Sequence, residues 1–130
     1  MKVTLSSVLV DDQDRAEKFY TEKLGFEKRQ DIPMGEFRWL TVASPEGPAG
    51  VELLLEPNAH PAAKIFQKAI FDDGIPATVF QSADLRAEHA RLSALGVAFR
   101  GEPKQAGPVM IAVFEDTCGN LIQLYQVLAG

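Results

Sequence analysis

The sequence has few of the residues that disulfide scaffolds and metal centres need. Its 130 residues include one cysteine, Cys118, and two histidines, His60 and His89. A single cysteine excludes an internal disulfide and is typical of proteins from a reducing compartment. We therefore predict a cytoplasmic protein that folds without disulfides.

Long apolar runs and a surplus of basic residues are missing as well. No run approaches the roughly 20 apolar residues that cross a bilayer, and the N-terminus lacks the layout of a signal peptide. The formal charge is −5, and the 13 lysines and arginines are scattered among acidic residues. Phosphate binding needs basic residues gathered on one face. We therefore expect neither a membrane nor a nucleic acid as a partner.

What the sequence does contain is the alternation of strand and helix patterns of an ordinary globular domain. At 46% hydrophobic and 24% charged residues, the chain can bury a core of normal size. Apolar periodicity, helix-start acids and glycine stops predict helices at residues 12–24, 62–71 and 84–95. The same patterns predict strands at residues 3–10, 26–30, 37–43, 51–55, 77–81, 97–100, 109–114 and 121–127.

The order of these elements, strand, helix and three strands, occurs twice. The residues repeat too: Arg15-Ala16-Glu17 and Leu24-Gly25 match Arg86-Ala87-Glu88 and Leu95-Gly96 at a constant offset of 71 residues. Internal repetition of this kind is a signal of fold. It predicts an α+β domain over residues 1–130, with module one at about 1–56, a linker helix at about 57–74 and module two at about 75–128.

Two segments carry a resemblance to a known family. Phe19-Tyr20 with Leu24-Gly25-Phe26, and the final hairpin at residues 114–124, resemble the vicinal-oxygen-chelate superfamily of glyoxalases, bleomycin-resistance proteins and dioxygenases. The resemblance implies two βαβββ modules forming a curved mixed sheet cup with helices outside, and a homodimer. It also implies that enzymatic members hold a divalent metal through His, Glu or Gln from the first and fourth strand of each module.

Only the fourth strands offer such donors here. Glu52 and Gln123 occupy the two fourth-strand positions and are themselves 71 residues apart. The first strand of module one offers Leu5 at this position. The first strand of module two offers Ala77, or Pro76 if its register is shifted by one residue. Because these side chains cannot coordinate a metal, we expect no tightly held metal; if one binds, its ligands are Glu52 and Gln123.

Strand alternation predicts which other side chains line the cup. Leu54 and Tyr125 share a face with Glu52 and Gln123, and the repeat mates Trp39 and Met110 would add apolar walls. In such surroundings the pKa of Glu52 would be raised, which suits proton abstraction. Plainer interpretations stay open: Glu52 as a solvated carboxylate, Gln123 as a core amide and Trp39 as packing.

The function predicted first is binding of a small organic ligand in the cup, as bleomycin-resistance-like proteins do, without a tightly held metal. The alternative is a divalent-metal-dependent lyase, isomerase or dioxygenase with Glu52 as its catalytic residue and Gln123 as a second ligand. A pure interaction module is a third reading. Residues 32–37 could form a mobile loop over the ligand or only a hairpin connection.

Overall fold

The computed structural model describes residues 1–129 and contains two four-stranded mixed sheets of the same topology. In the first sheet the order is β1-β4-β3-β2, with β1 parallel to β4 and the other pairs antiparallel. In the second the order is β5-β8-β7-β6, with β5 parallel to β8. The strands are β1 Leu5–Val10, β2 Glu27–Met34, β3 Phe37–Ala43, β4 Glu52–Pro57, β5 Thr78–Gln81, β6 Lys104–Ala106, β7 Val109–Glu115 and β8 Leu121–Val127.

In each module the first strand is followed by a helix that begins at an acidic N-cap. Helix α1, Gln13–Lys18, begins where the Asp12 carboxylate accepts a hydrogen bond from the Arg15 N–H, and α3, Leu85–Ala94, begins in the same way at Asp84. Such caps satisfy backbone donors that the first helical turn leaves free. Helix α2, Pro61–Asp72, links the two modules. The α+β fold predicted from the sequence is confirmed.

Helix α1 continues into a π-helical turn, Phe19–Lys23, which ends before Gly25. Gly25 adopts a φ of 83°, a left-handed conformation that costs other residues more than glycine. The wider turn carries Phe19 and Tyr20, which are both buried. The repeated Leu-Gly pair at residues 24–25 and 95–96 thus marks the end of a helix in both modules.

One hydrophobic core is shared by the two sheets. It contains Leu53 and Leu55 of β4, Ile122 and Leu124 of β8, and residues from α1 and α3, including Phe19. Side chains alternate along a strand, so the residues between these point away from the shared core. We call these the open faces of the first and second sheet.

A buried hydrogen-bond network also joins the two modules. The Tyr20 hydroxyl donates to Asp116 at 2.6 Å, and Asn120 donates to Asp116 at 2.8 Å and to the Leu9 carbonyl at 2.6 Å. The Gln67 amide of α2 donates to the carbonyls of Leu9 and Cys118. These hydrogen bonds fix the relative position of the modules and offset part of the cost of burying polar groups. At Asp116 burial still outweighs them and raises the pKa of the carboxyl above its ordinary value.

The structure differs from the predicted elements in two places. Residues 97–100 form only one isolated bridge, between Phe99 and Phe114, and the second strand of module two is β6 at Lys104–Ala106. Gly101, with a φ of 131°, lies between them and lets the chain leave the extended path. Residues 32–34 extend β2 into a tight hairpin whose turn is Gly35-Glu36, so they form no loop. Within residues 1–129, no helix is long and apolar enough to span a membrane.

Candidate functional site on the open sheet faces

The open face of the first sheet brings together three of the predicted site residues. Glu52 and Leu54 alternate with the core residues of β4, and Leu54 pairs with Thr41 on β3. Trp39, two residues before Thr41, shares this face and pairs with Ile32 of β2. Leu5 of β1 lies opposite Glu52 in register. The predicted grouping of Glu52, Leu54 and Trp39 on one face follows from these registers.

Glu52 is held by two neighbours on the same face. Its Oε1 atom accepts a hydrogen bond from the Thr41 hydroxyl at 2.6 Å and one from the Gln30 side-chain amide at 2.9 Å. These bonds hold the pKa of the Glu52 carboxyl below its ordinary value, against the opposing effect of burial. The raised pKa expected from an apolar cup is therefore wrong in direction, because hydrogen bonds to the charged form outweigh desolvation.

The same face exposes an unusual number of large apolar side chains. Leu5, Ile32, Met34 and Phe37 are all exposed, with Met34 at 58% and Ile32 at 51%. Ile32, Met34 and Phe37 lie in the same hairpin as the half-buried Trp39, the only tryptophan of the chain, whereas Leu5 lies across β4, beside Glu52. Clustered exposed apolar groups on one face indicate a binding surface more often than scattered ones do.

The open face of the second sheet carries Gln123 and Tyr125. Gln123 pairs with Val79 and Val113, and Tyr125 pairs with Gln81 and Ile111. The Tyr125 hydroxyl and the Gln81 side-chain oxygen are 3.4 Å apart, which is a long hydrogen bond. This face is less polar than the first. Besides the side-chain amides of Gln81 and Gln123, it carries the apolar side chains of Val79, Val113 and Ile111.

Met110 does not belong to this face. It packs against the shared core, on the same side of β7 as Ala112 and Phe114. Thr41 pairs with Leu54 on the first sheet, whereas Ile111 pairs with the Leu54 counterpart Tyr125 on the second. The spacing from Ile111 to Tyr125 is one residue longer than that from Thr41 to Leu54, so the offset of 71 residues slips by one on β7 and alternation turns Met110 inward.

The donor set at the family's metal position does not fit a tightly held transition-metal ion. Leu5 lies beside Glu52, and Val79, instead of the expected Ala77, lies beside Gln123. Neither hydrocarbon side chain can coordinate, and one carboxylate with one amide falls short of the three or four donors that such sites use. No group of three or more His, Cys, Asp or Glu side chains within residues 1–129 is arranged to hold a metal.

The two histidines and the cysteine are held by contacts with neighbouring parts of the protein. His60 accepts a hydrogen bond from the Ala62 N–H through Nδ1 at the start of α2. His89 packs on Phe99, with their ring centroids 4.2 Å apart. Cys118 is fully buried, and burial raises the pKa of its thiol to about 12. A thiol of this kind is not an activated nucleophile.

Three cavities within residues 1–129 of the single chain are not lined by Trp39, Glu52 or Leu54, and one of them, of about 460 Å³, meets the open face of the first sheet at Phe37. A cavity of about 720 Å³ is lined by Phe26, Phe80 and the segment at residues 44–48, among others, but not by Trp39, Glu52 or Leu54. The open face is therefore a surface and not an enclosed pocket in one copy of the chain. A ligand that is to be enclosed there needs a second wall.

Comparison with known proteins agrees with this architecture. Residues 3–124 match the family model of the Glyoxalase/Bleomycin resistance protein/Dioxygenase superfamily. The chain belongs to this superfamily. A Bacillus subtilis (strain 168) protein, the uncharacterized protein YurT, is 59% identical over 126 residues, which are 97% of this chain and 99% of YurT.

Two solved structures are similar along nearly their whole length. UcmS2 is 37% identical with a TM-score of 0.82, covering 96% of this chain and 97% of that one. TnmS3, described as an antibiotic binding protein from Streptomyces sp. CB03234, is 34% identical with a TM-score of 0.77, covering 98% of this chain and 96% of that one. The similarity extends over both modules and includes both open faces.

Sequence reasoning missed the two residues that hold Glu52. Gln30 lies after an irregularity in the pairing of β2, between Lys28 and Gln30, which shifts its side chain onto the open face. A simple alternation counted along β2 does not find such a bulge. The alternation of β3 does place Thr41 on the same face as Trp39, but it does not predict the hydrogen bond from Thr41 to Glu52.

Proposed function

We propose that this protein binds a small organic molecule between the open face of the first sheet and the open face of the second sheet of another copy. The observation that carries the proposal is the group of exposed apolar side chains in the hairpin of Trp39, on the same face of the sheet as the carboxylate of Glu52. Apolar walls with a few placed polar groups are typical of small-molecule sites. Leu54, Gln123 and Tyr125 complete the proposed lining.

The comparison with TnmS3 supports the class of ligand. That protein is described as antibiotic binding, and it is similar to this chain over 98% of the chain's length. A shared fold does not transfer a ligand, so the support comes from the combination of fold and apolar face. The proposed site works by sequestering its ligand, without a tightly held metal. The single buried cysteine favours a cytoplasmic location, which stays a prediction.

The placement of the faces supports the homodimer that the proposal requires. Both sheets contribute their inner sides to one core, so the faces that carry Glu52 and Gln123 are turned away from that core. Two copies related by a twofold axis would bring each first sheet opposite a second sheet, which forms two equal cups. The outer strands β1 and β5 each have one paired neighbour, so each leaves an edge for a partner.

Ligand binding is tested by thermal unfolding with a panel of aromatic antibiotics. We expect at least one compound to raise the melting temperature of the wild type by several degrees, since a ligand at about 100 times its Kd adds about 2.7 kcal/mol. The Trp39→Ala variant should lose that shift, and EDTA should not change it. The proposal is wrong if no compound stabilises the protein, or if Trp39→Ala keeps the full effect.

The shared cup is tested by mixing two inactive variants. Trp39→Ala damages the wall from the first sheet, and Tyr125→Ala damages the wall from the second. Coexpressed with different tags and purified through both, the mixed dimer has one intact cup and one doubly damaged cup. We expect ligand binding to return in the mixed dimer. A mixed dimer that binds nothing would show that each cup lies within one copy.

The alternative, a divalent-metal-dependent lyase, isomerase or dioxygenase using Glu52 and Gln123, makes an opposite prediction. It requires near-stoichiometric metal in protein purified without chelator and a loss of that metal in Glu52→Ala. The matched control is Glu56→Ala, an exposed carboxylate four residues further along β4 on the same face. Metal analysis of these three proteins decides between the two functions.

A further inference from the structure

The Glu52 carboxylate uses only one of its two oxygens within the chain. Thr41 and Gln30 both donate to Oε1, and no described hydrogen bond within residues 1–129 reaches Oε2. A carboxylate oxygen accepts about two hydrogen bonds. Oε1 is thus saturated, whereas Oε2 keeps its full capacity on the open face.

The charge of Glu52 also has no direct counter-ion in this part of the chain. No salt bridge described for residues 1–129 includes Glu52. Arg29 is the cation close enough to influence it, but the Arg29 guanidinium pairs with Glu27 at 3.1 Å. The carboxylate therefore depends on solvent for the balance of its charge.

Apart from Thr41 and Gln30, the neighbours of Glu52 on this face are hydrocarbon. Leu5 lies opposite in register, the buried Leu54 follows two residues later on the same strand, and Trp39 lies beyond Thr41 on β3. A ligand that covers these side chains removes the water around Glu52. Removing water from an unpaired carboxylate is costly unless the ligand supplies a donor or a positive charge in exchange.

On the basis of the proposed function, we infer that the ligand is a flat aromatic molecule carrying a protonated nitrogen, which stacks against the apolar face and donates to Oε2 of Glu52. Thr41 and Gln30 then act as positioning residues that fix the carboxylate and leave one oxygen for the ligand. Neutral aromatics cover the same surface but leave the charge unpaired, and anionic ones add repulsion.

Three probes of matched shape test this inference by calorimetry at neutral pH: 9-aminoacridine as the cation, acridine as the neutral ring and acridine-9-carboxylate as the anion. We expect the wild type to bind the cation about 10- to 100-fold more tightly than the neutral ring, the usual range for a hydrogen bond to a charged group. Binding of the anion should be the weakest.

Glu52→Gln should reduce the preference for the cation to about parity, because the amide removes the charge and keeps the shape. Glu56→Gln, on the same face, should keep it, which separates the local contact from the general acidity of the chain. Equal binding of cation and neutral ring by the wild type, or an unchanged preference in Glu52→Gln, overturns the inference and leaves the proposed function standing. Binding of none of the three probes overturns it too, while the antibiotic panel judges the proposed function separately.

Discussion

Tyr20 and Asp116 are joined by a hydrogen bond of 2.6 Å between the π-helical turn of module one and the final turn of module two. Both side chains are fully buried. Burial raises the pKa of Tyr20 well above its ordinary value, and the nearby Asp116 carboxylate adds to that effect. The hydroxyl therefore stays protonated and acts as a permanent donor between the modules.

Removing this donor should destabilise the fold. Tyr20→Phe leaves Asp116 short of one of its partners and should lower the free energy of unfolding by about 1–3 kcal/mol. Tyr125→Phe is the matched control, because its hydroxyl makes only a long contact of 3.4 Å on the open face. Urea unfolding of both variants provides the measurement. Equal effects of the two substitutions would contradict a structural role for the Tyr20–Asp116 bond.

Gly119 should tolerate alanine poorly for two separate reasons. Its φ is 95°, and an added Cβ would lie 2.9 Å from the Gln67 side-chain nitrogen. Gly25→Ala is the control for backbone strain alone, about 1–2 kcal/mol, because nothing lies within 4 Å of its added Cβ. Unfolding experiments should therefore rank Gly119→Ala as the more costly change. The difference should shrink in a Gln67→Ala background, which removes the obstructing side chain; if it persists there, crowding by Gln67 is not its cause.

Cys118 should resist thiol reagents in the folded protein. It is buried, and its thiol has a pKa of about 12. At pH 8 the folded protein should react with a chromogenic disulfide on the order of 1000-fold more slowly than the protein in denaturing urea, as a domain of ordinary stability opens rarely. Reaction of the folded protein at the rate of a free thiol would contradict the buried position.

The pH dependence of ligand binding should move when Thr41 is changed. Hydrogen bonds from Thr41 and Gln30 lower the pKa of Glu52 from its ordinary value of 4.5, so the carboxylate stays ionised down to pH values below that. Thr41→Val removes one donor and raises this pKa. Binding of a cationic ligand is lost as the pH falls through the pKa of Glu52, so the loss should begin at a higher pH in Thr41→Val than in the wild type. Calorimetric titrations across pH 3.5–6 are the check; coincident profiles would show that Thr41 does not set the ionisation.

Trp39 and Met110, which share a repeat position in the sequence, should behave differently. Trp39→Ala should remove the ligand-dependent rise in melting temperature. Met110→Ala should keep that rise but lower the stability of the free protein by about 1–2 kcal/mol, since a partly buried core side chain is shortened. Each variant is compared with its own ligand-free form. Loss of ligand binding in Met110→Ala would contradict the position of Met110 on the core side of β7.

The sequence predicted the fold in most respects because its signals were local and repeated. Acidic caps at Asp12 and Asp84, glycine stops and apolar alternation each act within a few residues, and the duplication shows each signal twice. Alternation also placed Glu52 and Leu54 on one face correctly. Residues 97–100 were predicted as a strand because their apolar pattern is typical of one. The glycine at 101 and the proline at 103 redirect the chain before these residues pair along a neighbouring strand.

The site was harder to predict because its details depend on contacts between strands. The pKa of Glu52 follows from Gln30 and Thr41, which lie 22 and 11 residues away in the sequence. The side of Met110 depends on the length of a turn beyond the end of its strand. The resemblance to the superfamily indicated where a candidate site would lie, whereas the hydrogen-bond partners of Glu52 became visible only from the register of the strands.

The one-residue difference in spacing between Thr41 and Leu54 in module one and Ile111 and Tyr125 in module two has a consequence for how such proteins diversify. Since every side chain of a strand changes face when its register shifts by one residue, one residue inserted between two strands can replace the whole set of groups that one strand shows to a ligand. The two modules in this way present Thr41 on one open face and Ile111 at the corresponding place on the other. New ligand specificity then arises from a change in loop length, far from the ligand and without any substitution in the site itself.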